Sequence, residues 1–242
     1  MSDPGFYSSN YRALSLRELV RMRGLLRLPL TYLISRFKTP TPAGWMPQMW
    51  ADLDCAEQEL STGFVKATTG CRQSLRNLGF DEVGFKKLKR VLNPNHRDDG
   101  GINLLDRSRC HFGQLIYNKS HAPPPIDRDR EQVVVAFTAV FEKGTLNFTN
   151  NAKTAFDSVP HHAVVRIATN DVAHIYRRFV DAVQGRKEPP FRFANQQALC
   201  DWFDSNTMEV FGFRVRRRLF VRMSDEEVAV ARRRMPPPSP TT

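Results

Sequence analysis

The stretch NPNHRDDGGIN, residues 93–103, sets a histidine, an arginine, two aspartates and two glycines side by side from His96 to Gly101. Imidazole and carboxylate groups in one loop can move protons near neutral pH or hold a divalent ion, and loops carry such groups disproportionately. The local chemistry first supports something plainer. Asn93-Pro94 opens a turn, and Asp99-Gly100-Gly101 closes a polar excursion between apolar segments, with Arg97 beside the carboxylates. A calcium loop would also need a distal glutamate, which is missing here. The expectation is a polar turn first and a site second. Among the other histidines, His161-His162 follows Pro160 and reads as a solvated loop pair, His174 as a helix-surface residue, and His121 borders a proline run. The chain has no phosphate loop, GxGxxG fingerprint or GxSxG elbow, and no cofactor is implied.

From His96 to His111 the chain resembles the pattern of the HNH endonucleases. The resemblance implies His96 as the residue that activates water, Gly100 and Gly101 as the loop glycines, Asn103 as the loop-positioning asparagine and His111 as the metal ligand, with Asp98 between them. It departs from that family in two respects. The family carries its last histidine on a helix, whereas HFGQLIYN reads as a strand, and its loop is longer. A metal-dependent nuclease using His96, Asp98, Asn103 and His111 is one of three functional expectations.

The other two come from charge. The net charge is +11, and it is gathered at two places. Residues 1–50 contribute +5, residues 212–235 another +5, and the stretch between them is close to neutral. Such clustering favours polyanionic partners. The leading expectation is a non-enzymatic binding protein docking on anionic lipid headgroups through Arg17, Arg21, Arg23, Arg27, Arg36 and Lys38, with Leu25, Leu26 and Leu30 entering the interface. The alternative is nucleic acid, met by Arg214, Arg216, Arg217, Arg218 and Arg222 on FRVRRRLFVR (213–222), read as a strand interleaving arginines with aromatics. Cys55, Cys71, Cys110 and Cys200 form no close pair and read as free thiols of a reducing compartment. A cytoplasmic location, peripheral at a membrane, is expected, with organellar import by the Arg-rich N-terminus as the alternative.

These residues must be positioned by an α+β fold with a largely antiparallel sheet. Its clearest element is a hairpin over 131–151: Val133, Val135, Phe137, Ala139 and Phe141 alternate, Lys143-Gly144 makes the turn, and Phe141 faces Leu146. The second strand's other face, Thr145, Asn147 and Thr149, suits solvent or a ligand. HFGQLIYN (111–118) and AVVRIAT (163–169) supply further strands. Helices are expected over 14–27, with Ser15 and Glu18 as a capping box; over 61–78, ended by Gly79; over 170–184 and 195–210; and over 224–235, capped by Ser224. The divisions are a basic N-terminal segment (1–38), a proline-rich connector (39–50), one α+β domain (51–235) and a disordered tail (236–242).

Overall fold

The computed structural model describes residues 5–23, 44–122, 128–151 and 157–235. Residues 24–43, with Arg27, Arg36, Lys38 and the interfacial leucines, lie outside the described residues, as do the Arg23 side chain and residues 236–242. The first described elements are β1 (Tyr7–Ser9), α1 (Leu16–Arg23), β2 (Gly44–Trp45), α2 (Trp50–Leu53), β3 (Asp54–Cys55) and α3 (Thr62–Asn77). Next come β4 (Phe80–Lys86), β5 (His96–Asp106), β6 (His111–Ala122), β7 (Arg128–Phe141), β8 (Gly144–Thr149) and β9 (His162–Arg166). The last are α4 (Val172–Gln184), α5 (Gln196–Arg216), β10 (Phe220–Arg222) and α6 (Asp225–Arg233). The fold is α+β. Strands β3 to β9 form a seven-stranded sheet in chain order, antiparallel except where β9 runs parallel to β8.

Period-two alternation gives this sheet two different faces. One is apolar: Ile102, Leu104, Leu115, Val135, Phe137, Ala139 and Phe148 pack against α3 and α4, which bring Phe64, Leu75, Ile175 and Phe179. Ser61 caps α3 by accepting from the Phe64 amide, and Gly79 follows the helix at φ +85°, a conformation that favours glycine. Helix α3 lies so close to β5 that a Cβ on Gly100 would come within 2.6 Å of Phe64 Cδ2. Gly100→Ala is therefore expected to destabilise the fold by about 1–3 kcal/mol, read as a lower urea midpoint.

Three expectations need correcting. His96–Gly101 belongs to β5 and is not a turn, which is confined to Asn93–Asn95. Its carboxylates are satisfied by the segments beside the strand: Asp98 accepts from Ser61 Oγ, and Asp99 accepts from the Leu88 amide at 2.8 Å. Residues 213–216 are the last turn of α5 and are not a strand; only Phe220–Arg222 is extended, after Arg218 turns the chain at φ +57°. The hairpin turn is Glu142-Lys143, so Phe141 pairs with Gly144 and Ala139 with Leu146. That slip is two residues, so every side chain keeps its face.

Residues 7–9 pair antiparallel with 220–222, and β2 completes a small three-stranded sheet. Helix α1 starts with the expected capping box, Glu18 accepting from the Ser15 amide at 2.8 Å and Ser15 Oγ from the Glu18 amide at 3.3 Å. Leu19 is buried with Leu14 and Leu219, so the described part of the amphipathic stripe packs on the protein itself. Among the described residues no helix is long and apolar enough to cross a membrane.

Candidate functional site

The second face of the sheet lies beneath α5, and it is polar where a covered face is ordinarily apolar. Successive pairings carry one row straight across it: Gly84 beside Asn103, Asn103 beside Gln114, Gln114 beside Ala136, Ala136 beside Thr149, and Thr149 beside Arg166. The next row contains Phe112, Thr138, Asn147 and Val164. Helix α5 closes over these rows with residues three or four apart, Leu199, Trp202, Phe203, Asn206, Val210 and Arg214. Leu199 and Trp202 pack with Phe112 and Phe193, holding one end of the helix on the sheet. Towards the other end the helix and sheet stand apart and enclose a cavity of about 290 Å3. The β8 face proposed for solvent or a ligand lines it: Thr145 and Thr149 are buried, and Asn147 donates to Thr138 Oγ1 at 2.7 Å.

A smaller compartment of about 190 Å3 adjoins the first through Gln114, Ile116 and Phe203. Its floor holds Lys86, nine-tenths buried, whose Nζ has no hydrogen-bond partner among the described residues. The amine lies 3.5 Å from the centroid of the Phe203 ring and 5.0 Å from that of Trp50. Gly84 makes this possible, since a Cβ there would come within 2.9 Å of Trp50 Cζ2. Burial pulls the Lys86 pKa down to about 7, with the Asp204 carboxylate opposing the fall. Asn103, on the same face and wholly buried, accepts from Gln114 Nε2 at 3.3 Å, while its own Nδ2 has no hydrogen-bond partner among the described residues. Two buried donors thus face one space, and a buried donor left unmatched costs about 1–3 kcal/mol. Both would be satisfied by acceptor oxygens.

At the opposite end the cavity is lined by Arg166 and Arg214. Burial lowers the pKa of both guanidinium groups; Arg214 also stands over the Phe220 ring at 5.5 Å. Beyond Arg166 lies a more open cleft of about 580 Å3 lined by Arg17, Arg21, Arg166 and Arg217. The two basic ends of the sequence therefore meet in space. They meet partly by ion-pairing: Arg217 makes a two-pronged contact with buried Glu18 at 2.9 and 2.8 Å, and Arg21 reaches Asp157 at 2.7 Å. Arg17, Arg216, Arg218 and Arg222 are exposed.

The HNH-like residues do not gather. His96 pairs with Ser120 at one end of the β5–β6 ladder, whereas His111 stands next to the Leu105–Phe112 pair at the other, about 30 Å along the strands. Asp98 faces Ser61 on the α3 side and Asn103 faces α5. His111 is held by Asp106 at 3.2 Å and the Tyr176 hydroxyl at 3.1 Å, and His96 by Asp99 at 2.9 Å. His161 is exposed in the turn before β9, whereas His162 starts β9 largely buried, and both contact Glu209 of α5. Lys86, Gln114 and Arg166 were invisible to sequence reasoning because only strand register brings them to the two adjoining compartments, and Glu209 because only the length of α5 carries it to the start of β9.

The arrangement defines the chain as an open mixed sheet clasped by helices on both faces, with a donor-lined cavity on one of them. Compared with known protein families, curated proteins and solved structures, it matches none.

Proposed function

We propose that this chain is a binding protein for an elongated organic anion, held between the polar face of the sheet and α5. The observation that carries the reading is the pair of buried donors, Lys86 Nζ and Asn103 Nδ2, without hydrogen-bond partners among the described residues and facing the same compartment. Arg166 and Arg214 line the far end of the adjoining cavity. An elongated molecule with oxygen acceptors, a carboxylate or phosphate among them, matches donors at both ends, with Phe112, Trp202 and Phe203 against its apolar part. Because Arg21 and Arg217 are turned onto Asp157 and Glu18, less charge is left for an extended lipid or nucleic-acid surface than the composition implies.

The test is thermal unfolding of the full chain against dicarboxylates and phosphate monoesters. A ligand present at 100 times its Kd stabilises by about 2.7 kcal/mol, expected here as a rise of about 5–10 °C. The rise should shrink to below 2 °C in both Lys86→Met and Arg166→Met. A panel that shifts nothing, or a binder untouched by both substitutions, overturns the reading. Salt-sensitive binding to anionic vesicles or to nucleic acid that persists in Lys86→Met would favour the docking alternatives.

A further inference from the structure

Helix α5 brings Glu209 to the start of β9, where His161 and His162 stand side by side. His161 Nε2 lies 2.7 Å from Glu209 Oε1, and His162 Nε2 lies 3.5 Å from Glu209 Oε2. One ligand atom from each residue falls within 4.8 Å of the other two. An ion bound at about 2.0–2.2 Å by nitrogen and oxygen in a tetrahedral arrangement separates its ligand atoms by roughly 3.4 Å, so the three side chains reach that geometry by shifts of about an ångström or less. A bare ion pair would need only one of the imidazoles.

The backbone around the trio is fixed. The Thr145 amide donates to the His161 carbonyl at 3.2 Å, and the His162 amide donates to the Val159 carbonyl at 2.8 Å. Gly144 has no room for a side chain, since a Cβ there would collide with that same His161 carbonyl. His162 lies in the sheet register opposite Thr145 and faces α5, whereas Glu209 is carried by a helix anchored at its other end by Leu199 and Trp202. The two sides of the trio are thus held by separate rigid elements, as a preformed site requires.

We propose that His161, His162 and Glu209 form a binding site for a divalent transition ion of the zinc class, at the mouth of the central cavity. Two imidazoles and one carboxylate suit zinc and its neighbours rather than magnesium or calcium, which take oxygen ligands. Three protein ligands leave a coordination position open. That position faces a cleft of about 470 Å3, and His162, Thr145, Trp202 and Asn206 line both this cleft and the cavity. A water or an acceptor oxygen of a molecule in the cavity can complete the coordination. The proposal stands independently of the organic-anion reading, since it rests on none of Lys86, Asn103, Arg166 or Arg214.

The experiment strips the full chain with a chelator and titrates it with zinc by calorimetry, and with cobalt by visible absorption. One equivalent is expected to bind with a micromolar Kd or tighter, and cobalt is expected to show the intense bands of a four-coordinate site. His162→Ala and Glu209→Gln should each weaken zinc at least tenfold, while His174→Ala, on the exposed side of α4, should leave it unchanged. Circular dichroism checks that each variant is folded; should His162→Ala unfold, Glu209→Gln and His161→Ala carry the comparison, since both of those positions are partly exposed. Absence of saturable one-to-one binding, or affinity unaltered in folded Glu209→Gln, overturns the site.

Discussion

Lys86→Met is expected to make the protein more stable and, at the same time, unable to hold its ligand. The native amine carries its proton only below about pH 7, whereas the unfolded chain keeps it to about 10.5. Holding the ammonium in this apolar corner therefore costs about 5 kcal/mol below pH 7. Methionine keeps the length of the side chain without the charge. It forfeits the contacts with Trp50 and Phe203, worth about 1–2 kcal/mol, so a net gain of about 3 kcal/mol is expected in urea unfolding at pH 7. The sign of the pH dependence follows from proton counts. Between pH 7 and 10.5 the unfolded state binds the extra proton, so the contribution of Lys86 makes the parent chain more stable as pH rises, and the methionine variant lacks that rise. A variant less stable than the parent, or with the same slope, would show that the amine is well solvated and remove the main support for the cavity as a binding site. Anion binding above pH 7 should also take up a proton, since the bound charge holds Lys86 protonated; calorimetry in buffers of different ionisation enthalpy reads this directly.

The second large effect is expected at Glu18. Its carboxylate is wholly buried and accepts from the Ser15 amide and hydroxyl, the Asp157 amide and both terminal nitrogens of Arg217. Burial alone would raise its pKa, but Arg217 and the amides of Asp157 and Ser15 outweigh it and hold the group at about 2. Glu18→Ala removes one partner of a buried charge pair, the cap of α1 and the tie to Asp157 together, and should cost about 3–5 kcal/mol. The same group loses its contribution as pH falls from about 4.5 towards 2, so acid unfolding of the parent should steepen in that window and Glu18→Gln should not share the steepening. A urea midpoint that barely moves in Glu18→Ala would mean that the N-terminal helix docks by apolar contact alone.

What could be seen in the chain beforehand was local. Ser61 starts α3, Asn195 starts α5, and Ser224 with Glu227 caps α6, each because a side chain meets backbone groups within three or four residues, and Gly79 ends α3 by taking a positive φ. The faces of the hairpin were legible too, since alternation survives a two-residue slip. Two local patterns misled. FRVRRR alternates like a strand, yet it continues α5, whose end is held by Arg217 on Glu18, a residue that no window on that segment contains. HRDDGG reads as a turn, yet Ser61 and the Leu88 amide satisfy its carboxylates and its glycine admits Phe64. The candidate site was out of reach for the same reason. Lys86, Asn103, Gln114 and Arg166 come to line two adjoining compartments only through the registers of successive strands.

The pairing of Tyr7–Ser9 with Phe220–Arg222 sets a timetable for biosynthesis. The N-terminal strand leaves the ribosome early, but its partner is made more than two hundred residues later. Until then Tyr7–Ser9 has an open edge, and Glu18 waits for Arg217 with its charge unanswered. The seven-stranded sheet can assemble during translation, whereas the clasp that joins the two basic segments can close only after residue 222 has emerged. Truncations upstream of Phe220 should therefore yield chains in which the large sheet forms but α1 stays undocked and open to proteases.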